Sequence, residues 1–242
     1  LSFKRIYTMS YGYDYRQSQY NNAAPSAEIR SEVMRNTYML LALSLIPTAI
    51  GALFGINMSF MFLRASPIMG SLLLMGGMYF MMFMVQKNRN SFAGVVWLMA
   101  FTLLMGVLMG PLLQYALRIP NGSQMIMLAA IMTSAIFFTM SAIGFATKRE
   151  MPFVANFLAI GGIVLMIAVV ASIFLHTPML YLVICGGFVI FSSVMILWQV
   201  NQIANGGETN YISATLTLYV SLYNLFTSLL QIIMALSGND RR

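Results

Sequence analysis

Acidic residues are nearly absent from this chain. Only six of its 242 residues are Asp or Glu, and between Asn36 and Asp240 only Glu150 and Glu208 remain. Histidine and cysteine occur once each, as His176 and Cys185. These shortages exclude most catalytic designs. There is no HExxH metal motif and no pair of acids within an apolar run. A rhomboid-like serine protease needs a His base beside a membrane-embedded Ser, and the single His sits next to Thr177-Pro178 in a short connection. The chain is therefore expected not to be an enzyme and to carry no cofactor and no catalytic metal. One cysteine excludes an intramolecular disulfide. Cys185 reads as a small apolar packing residue, with a redox or metal role as the alternative. Charge of either sign is scarce: 8% of residues are charged and 60% are hydrophobic. Soluble domains carry about a quarter charged residues, so a water-exposed globule is excluded.

Long apolar runs take up most of the chain, and the mean hydropathy is +0.80. A membrane span needs about 20 apolar residues. Seven such runs are read at 37–56, 67–86, 92–113, 125–146, 152–175, 178–200 and 213–236. Their connections are too short for a second domain. The expected class is an all-α integral membrane protein with seven transmembrane helices, in contact with membrane lipid.

The net charge of +7 could suggest nucleic acid, but the cations lie at span ends and in the N-terminal tail rather than on one basic face. No nucleic-acid partner is expected. Lys and Arg near the spans set orientation. A cytoplasmic N-terminus puts nine inside (Lys4, Arg5, Arg16, Arg30, Arg35, Lys87, Arg89, Lys148, Arg149) and four outside (Arg64, Arg118, Arg241, Arg242). That predicts a cytoplasmic N-terminus and a periplasmic C-terminus. Residue 1 is Leu and Met9 is a candidate initiator; counting from Met9 gives seven against four, with the same orientation. The polar first 36 residues and the length of span one predict no cleavable signal peptide.

Four segments follow. Residues 1–24, with Tyr11, Tyr13, Tyr15, Tyr20, Asn21 and Asn22, are too polar for a core and predict a flexible cytoplasmic tail. Such a tail is either an inert tether or a handle for a partner. Residues 25–36 predict a short amphipathic helix leading into span one, with Ser26 as N-cap and Glu28 in the first turn. Residues 37–236 form the bundle, and 237–242 a short C-terminal tail.

Small residues recur at helix-packing spacing. Gly51 and Gly55 in span one, and Gly106 and Gly110 in span three, are four apart, which allows close backbone approach. Packing within the chain is the expected use, homodimerisation the alternative. The 23 methionines cluster in span two at Met78, Met81, Met82 and Met84. A copper path would extend soft ligands into the loops, which offer only Met58, Met151 and His176, so apolar packing is the reading.

Span seven carries the clearest pattern. Ser213, Thr217, Ser221, Asn224, Ser228 and Gln231 are spaced 4, 4, 3, 4 and 3 apart and form one polar stripe. Polar groups in hydrocarbon need partners, so the stripe faces the bundle, either as interhelical hydrogen bonding or as the wall of a polar cavity or pore. Cys185, Ser192 and Gln199 recur at sevens in span six, with Gln202 beyond. Between the two spans, Gly206-Gly207 permits a tight loop, Thr209 or Asn210 caps span seven, and Glu208 is a solvated charge or a cation ligand.

The run Gly206-Gly207-Glu208-Thr209-Asn210-Tyr211-Ile212 and the run Leu218-Tyr219-Val220-Ser221-Leu222-Tyr223-Asn224-Leu225-Phe226 closely resemble the Bax inhibitor-1 (TMBIM) family, and most of all its proteobacterial YccA-type branch. Arg35-Asn36-Thr37-Tyr38, Gly77-Met78-Tyr79 and Gly110-Pro111-Leu112 extend the likeness, which covers about 33–236. The resemblance implies six helices packed around a central seventh. It implies a calcium leak gated by two aspartates, one near the end of helix six and one in helix seven; those positions fall on Gln199 and Ser221. Neither titrates, so the pH latch that a close carboxylate pair makes is lost, and Ca²⁺ loses preferred ligands. The branch implies another role, modulation of the membrane-anchored FtsH-type AAA+ protease in membrane-protein quality control. The expectation is a bacterial inner-membrane modulator with that protease as partner. The alternative is a calcium or proton leak whose pore or latch uses Gln199, Ser221, Thr217, Asn224, Ser228 and Glu208. A third reading is a bundle that serves only as protease substrate.

Overall fold

The computed structural model describes residues 26–58, 67–149, 151–175 and 177–239. The tail 1–24, Arg64, Glu150, His176 and residues 240–242 lie outside the described residues. Seven helices follow in order: α1 Ala27–Asn57, α2 Pro67–Lys87, α3 Phe92–Arg118, α4 Gly122–Ala146, α5 Pro152–Leu175, α6 Pro178–Asn205 and α7 Tyr211–Asn239. No strand occurs among the described residues. Six of the helices, all but α2, are long and apolar enough by length and composition to cross a membrane, among the described residues. Apolar runs of this length close their backbone hydrogen bonds within the segment, as a bilayer requires.

The sequence sets the helix ends. Ser26 Oγ accepts the Ile29 N–H at 3.3 Å, and Glu28 sits in the first turn, where a negative charge meets the helix dipole. From there α1 is one unbroken helix of 31 residues, with Pro47 inside it. Gly206 ends α6 in the left-handed conformation, φ 85°. A residue with a Cβ is strained there.

Span three is read at 92–113, and α3 runs on to Arg118 with Pro111 in its interior. Pro111 leaves the Val107 carbonyl without its helical donor. That carbonyl instead faces Gly55 of α1, where a Cβ would collide with it. The missing donor is accommodated against a neighbouring helix, so the helix need not stop.

This contact belongs to a close crossing of α1 and α3. A Cβ on Gly51 would strike the Leu103 carbonyl oxygen, one on Gly106 the Thr48 carbonyl oxygen, and one on Gly110 the Gly55 backbone. The four glycines therefore lie where α1 and α3 cross backbone to backbone.

The core gathers on α7. This helix packs against α1, α2, α3, α4 and α6, whereas α5 packs only on α6. No residue of α7 from Tyr211 to Met234 is exposed. Leu216, Leu218, Tyr219, Leu225 and Leu230 are essentially sealed from outside. Leu216, Leu225 and Leu229, off the polar stripe, are buried as well.

Candidate functional site: the polar face of the central helix

The stripe on α7 divides into two halves with different surroundings. In the first half the hydroxyls fold back on their own helix. Thr217 Oγ1 donates to the Ser213 carbonyl at 3.2 Å and Ser221 Oγ to the Thr217 carbonyl at 2.8 Å. Ser213 Oγ accepts from Gln86 Nε2 of α2 at 3.3 Å. In the second half, Asn224, Ser228 and Gln231 line a cavity of about 210 Å³ between α5, α6 and α7. Ser172, Tyr181, Cys185 and Thr227 also line it, so seven of its ten walls carry polar groups. The Cys185 thiol lies 3.9 Å from Gln231 Oε1, and Gln231 Nε2 donates to the Thr227 carbonyl at 2.9 Å. The cavity exists because α5 does not reach α7.

On α6, Cys185, Ser192 and Gln199 are all buried. Ser192 Oγ and Gln199 Nε2 are sealed yet have no hydrogen-bond partner in the protein. No hydrogen bond joins Gln199 and Ser221: the Ser221 hydroxyl donates to the Thr217 carbonyl, and Gln199 Nε2 has no partner.

Glu208 belongs to a capping arrangement. Its Oε1 accepts the Asn210 N–H at 2.8 Å, and Asn210 Oδ1 in turn accepts the N–H groups of Ile212 and Ser213, which caps α7. Asn210 also donates to the Arg89 carbonyl at 2.9 Å and so ties this loop to the α2–α3 connection. No three His, Cys, Asp or Glu residues cluster as a metal site among the described residues.

Sequence reasoning missed three polar residues that cross between helices. Tyr219, on α7 but off the stripe, lies 2.8 Å from Thr48 Oγ1 of α1 and donates to the Thr102 carbonyl of α3 at 3.3 Å. Its ring meets Phe101 edge-on, with centroids 5.9 Å apart. Gln114 Nε2 of α3 is within 3.0 Å of the Gly55, Ile56 and Met58 carbonyls, which end α1. Asn201 Nδ2 of α6 does the same for α4, reaching the Thr147 carbonyl at 2.7 Å and that of Arg149 at 3.2 Å. The last carbonyls of a helix lack intrahelical donors. A lone amide near a span end is the signal that could have drawn attention to Gln114 and Asn201.

A family model described as inhibitor of apoptosis-promoting Bax1 matches residues 30–239. The chain belongs to the Bax inhibitor-1 family. An uncharacterised protein of Neisseria meningitidis serogroup A is 47% identical over 87% of this chain and 94% of its own length. One from Pseudomonas aeruginosa is 42% identical over 93% and 99% respectively. The Escherichia coli K12 protein named modulator of FtsH protease YccA is 42% identical over 84% of this chain and 89% of its own length. The match takes in all seven helices, so this Bax inhibitor-1 member is a multi-pass membrane protein built around α7.

Proposed function

We propose that this chain is a non-enzymatic protein of a bacterial inner membrane that modulates an FtsH-type protease through protein contacts. The observation that carries this reading is its 42% identity, across 84% of its length, to a protein named for that modulation. In this reading all seven helices span, α2 included, with five packed about α7 and α5, instead of a sixth neighbour of α7, set outside them against α6. Residues 1–24 are cytoplasmic, 25–36 lead into the membrane, 37–236 are the bundle and 237–242 end it in the periplasm. The excess of Lys and Arg on the N-terminal side supports that orientation. A protease that degrades membrane proteins must pull them out of the bilayer. The α1–α3 crossing at Gly51, Gly55, Gly106 and Gly110, and the amide bonds of Gln114 and Asn201 to other helices' ends, oppose such pulling. Residues 9–36 are the proposed handle. Co-purification from native membranes in mild detergent tests it. Intact chain should recover the protease, and deleting residues 9–24 should reduce recovery while leaving the bundle folded. Equal recovery by the truncated chain removes the tail from the mechanism.

A second reading, a cation leak for calcium or protons along Thr217, Ser221, Asn224 and Ser228, with Gln199 and Glu208 near the entrance, is favoured by one observation. Seven of the ten residues lining the cavity beside α7 carry a polar group, and a cavity of this size with several polar partners holds water. Cys185 should then react in intact membranes with a small water-soluble thiol reagent, and Ser221→Leu should abolish ion flux in liposomes. An unreactive Cys185 together with unchanged flux eliminates this route.

A further inference from the structure

A second cavity, of about 180 Å³, lies on the opposite flank of α7. Leu45 and Thr48 of α1, Met109 of α3, and Ala130, Thr133 and Ser134 of α4 form its walls, and Tyr219, Leu222, Tyr223 and Phe226 of α7 form its floor. Helices α1 and α4 do not pack on each other. They approach each other at Tyr38, whose ring meets Phe137 edge-on, centroids 6.1 Å apart, and whose hydroxyl faces Ser141, near the end of the bundle where α1 begins. Beyond that pair the two helices part, and the space between them reaches the central helix. Its rim is continuous with the outer surface: Leu45 is 45% exposed, and Ala130 and Ser134 are exposed too.

Depth and chemistry identify what meets this opening. Ala130 to Ser134 lie 8–12 residues from Gly122, the start of α4, which is about 12–18 Å along it. That is close to the middle of a hydrocarbon layer about 30 Å thick. None of the ten lining residues is charged. The hydroxyls on the walls are already satisfied: Thr133 donates to the Ala129 carbonyl, Ser134 to that of Ala130, and Thr48 to that of Ser44. Tyr219 is held by Thr48 and Thr102, which leaves the Tyr223 hydroxyl as the polar group in the lining without a protein partner. A headgroup cannot reach this depth, and a wall of satisfied hydroxyls and apolar carbons offers water little.

We propose that the cleft between α1 and α4 admits the end of a membrane lipid acyl chain, which packs against Leu222, Tyr223 and Phe226 of the central helix. The lipid-facing surface of the bundle would thereby extend inward to α7, a helix otherwise enclosed by protein.

The test uses the full chain in liposomes that contain a phospholipid with a diazirine at the end of one acyl chain. After illumination, adducts are mapped by peptide mass spectrometry. Adducts are expected on Leu222, Tyr223 or Phe226, together with adducts on the exposed Ile160 and Ile163 of α5. Ala130→Phe places a ring at the rim and should reduce the α7 adducts by at least about tenfold, leaving those on α5 unchanged. Ser134→Phe, on the same rim one turn further along, should act likewise. Adducts confined to outward-facing residues in the unaltered chain overturn the proposal. So do α7 adducts that persist at full yield in both variants.

Discussion

Helices α5 and α7 are both membrane-length, yet their environments are inverted. Along α7 nothing from Tyr211 to Met234 is exposed, while in α5 Leu158 is the only buried residue among those whose side chains are described. The helix with the richer set of hydroxyls and amides is the one enclosed. The nearly uniform apolar helix is the one left outside. In water that arrangement would be unstable. In a bilayer it follows from the solvent: lipid tails are as apolar as leucine, so apolar surface gains little by being buried in protein. A polar group, in contrast, must find a partner. Five helices supply partners and shape around α7, and α5 touches only α6.

The largest difference should appear on truncating an aromatic ring in each helix. Tyr219 is the largest fully enclosed side chain and is 1% exposed, whereas Phe157 of α5 is 44% exposed. Tyr219→Ala leaves a void and removes the bridge to Thr48 and Thr102, with an expected loss of about 3–5 kcal/mol. Phe157→Ala gives up a contact that lipid can replace, and its loss should be under about 1 kcal/mol. Reversible unfolding in mixed micelles reads both. Similar losses for the two would mean that α7 is not the packed centre.

Much of this inversion was legible in the sequence. The spacing of Ser213, Thr217, Ser221, Asn224, Ser228 and Gln231 pointed to a helix with inward-facing polarity, and in the structure three of them are buried and three half-buried. The Ser26 cap and the Gly206-Gly207 turn were visible from residue type. Periodicity, however, gives a face and not the neighbour on that face. Hence Tyr219 was given no role of its own in the sequence, although its hydroxyl joins three helices. Hence also Asn201, between the highlighted Gln199 and Gln202, went unremarked although its amide caps α4 from across the bundle. How Pro111 is accommodated inside α3 was hidden for a related reason. A proline usually ends a helix, but here its orphaned carbonyl lies against a glycine of a helix more than fifty residues earlier in sequence, a pairing that local pattern cannot show.

A smaller effect separates the glycines of the tight crossing from those of α5. Gly106→Ala directs a methyl group at the Thr48 carbonyl of α1, which is backbone and cannot swing aside. The expected cost is about 1–3 kcal/mol. Gly161→Ala on α5 meets nothing nearer than the Phe191 ring at 3.7 Å, an ordinary contact. It should be neutral or stabilise by up to about 1 kcal/mol through helix propensity. The same unfolding assay distinguishes them, and a neutral Gly106→Ala would show that α1 and α3 can separate without penalty.

The finest contrast concerns single hydroxyls. Ser172 of α5 donates to the Val169 carbonyl of its own helix at 2.7 Å, so Ser172→Ala removes a bond that holds no two helices together, and its effect should be near zero. Tyr219→Phe keeps the ring and removes only the oxygen that joins α7 to α1 and α3. Interhelical hydrogen bonds in membranes contribute on average about 0.6 kcal/mol and at most about 1.7 kcal/mol, and the loss should fall in that range. Thr48 can still donate to the Ser44 carbonyl in the variant, so the loss reports the bridge rather than a stranded hydroxyl. Combining Tyr219→Phe with Thr48→Val should then cost less than the sum of the two single changes, because one bond is counted in both. Strict additivity would mean that the Tyr219–Thr48 contact carries no energy, and that α7 is held at this level by shape alone.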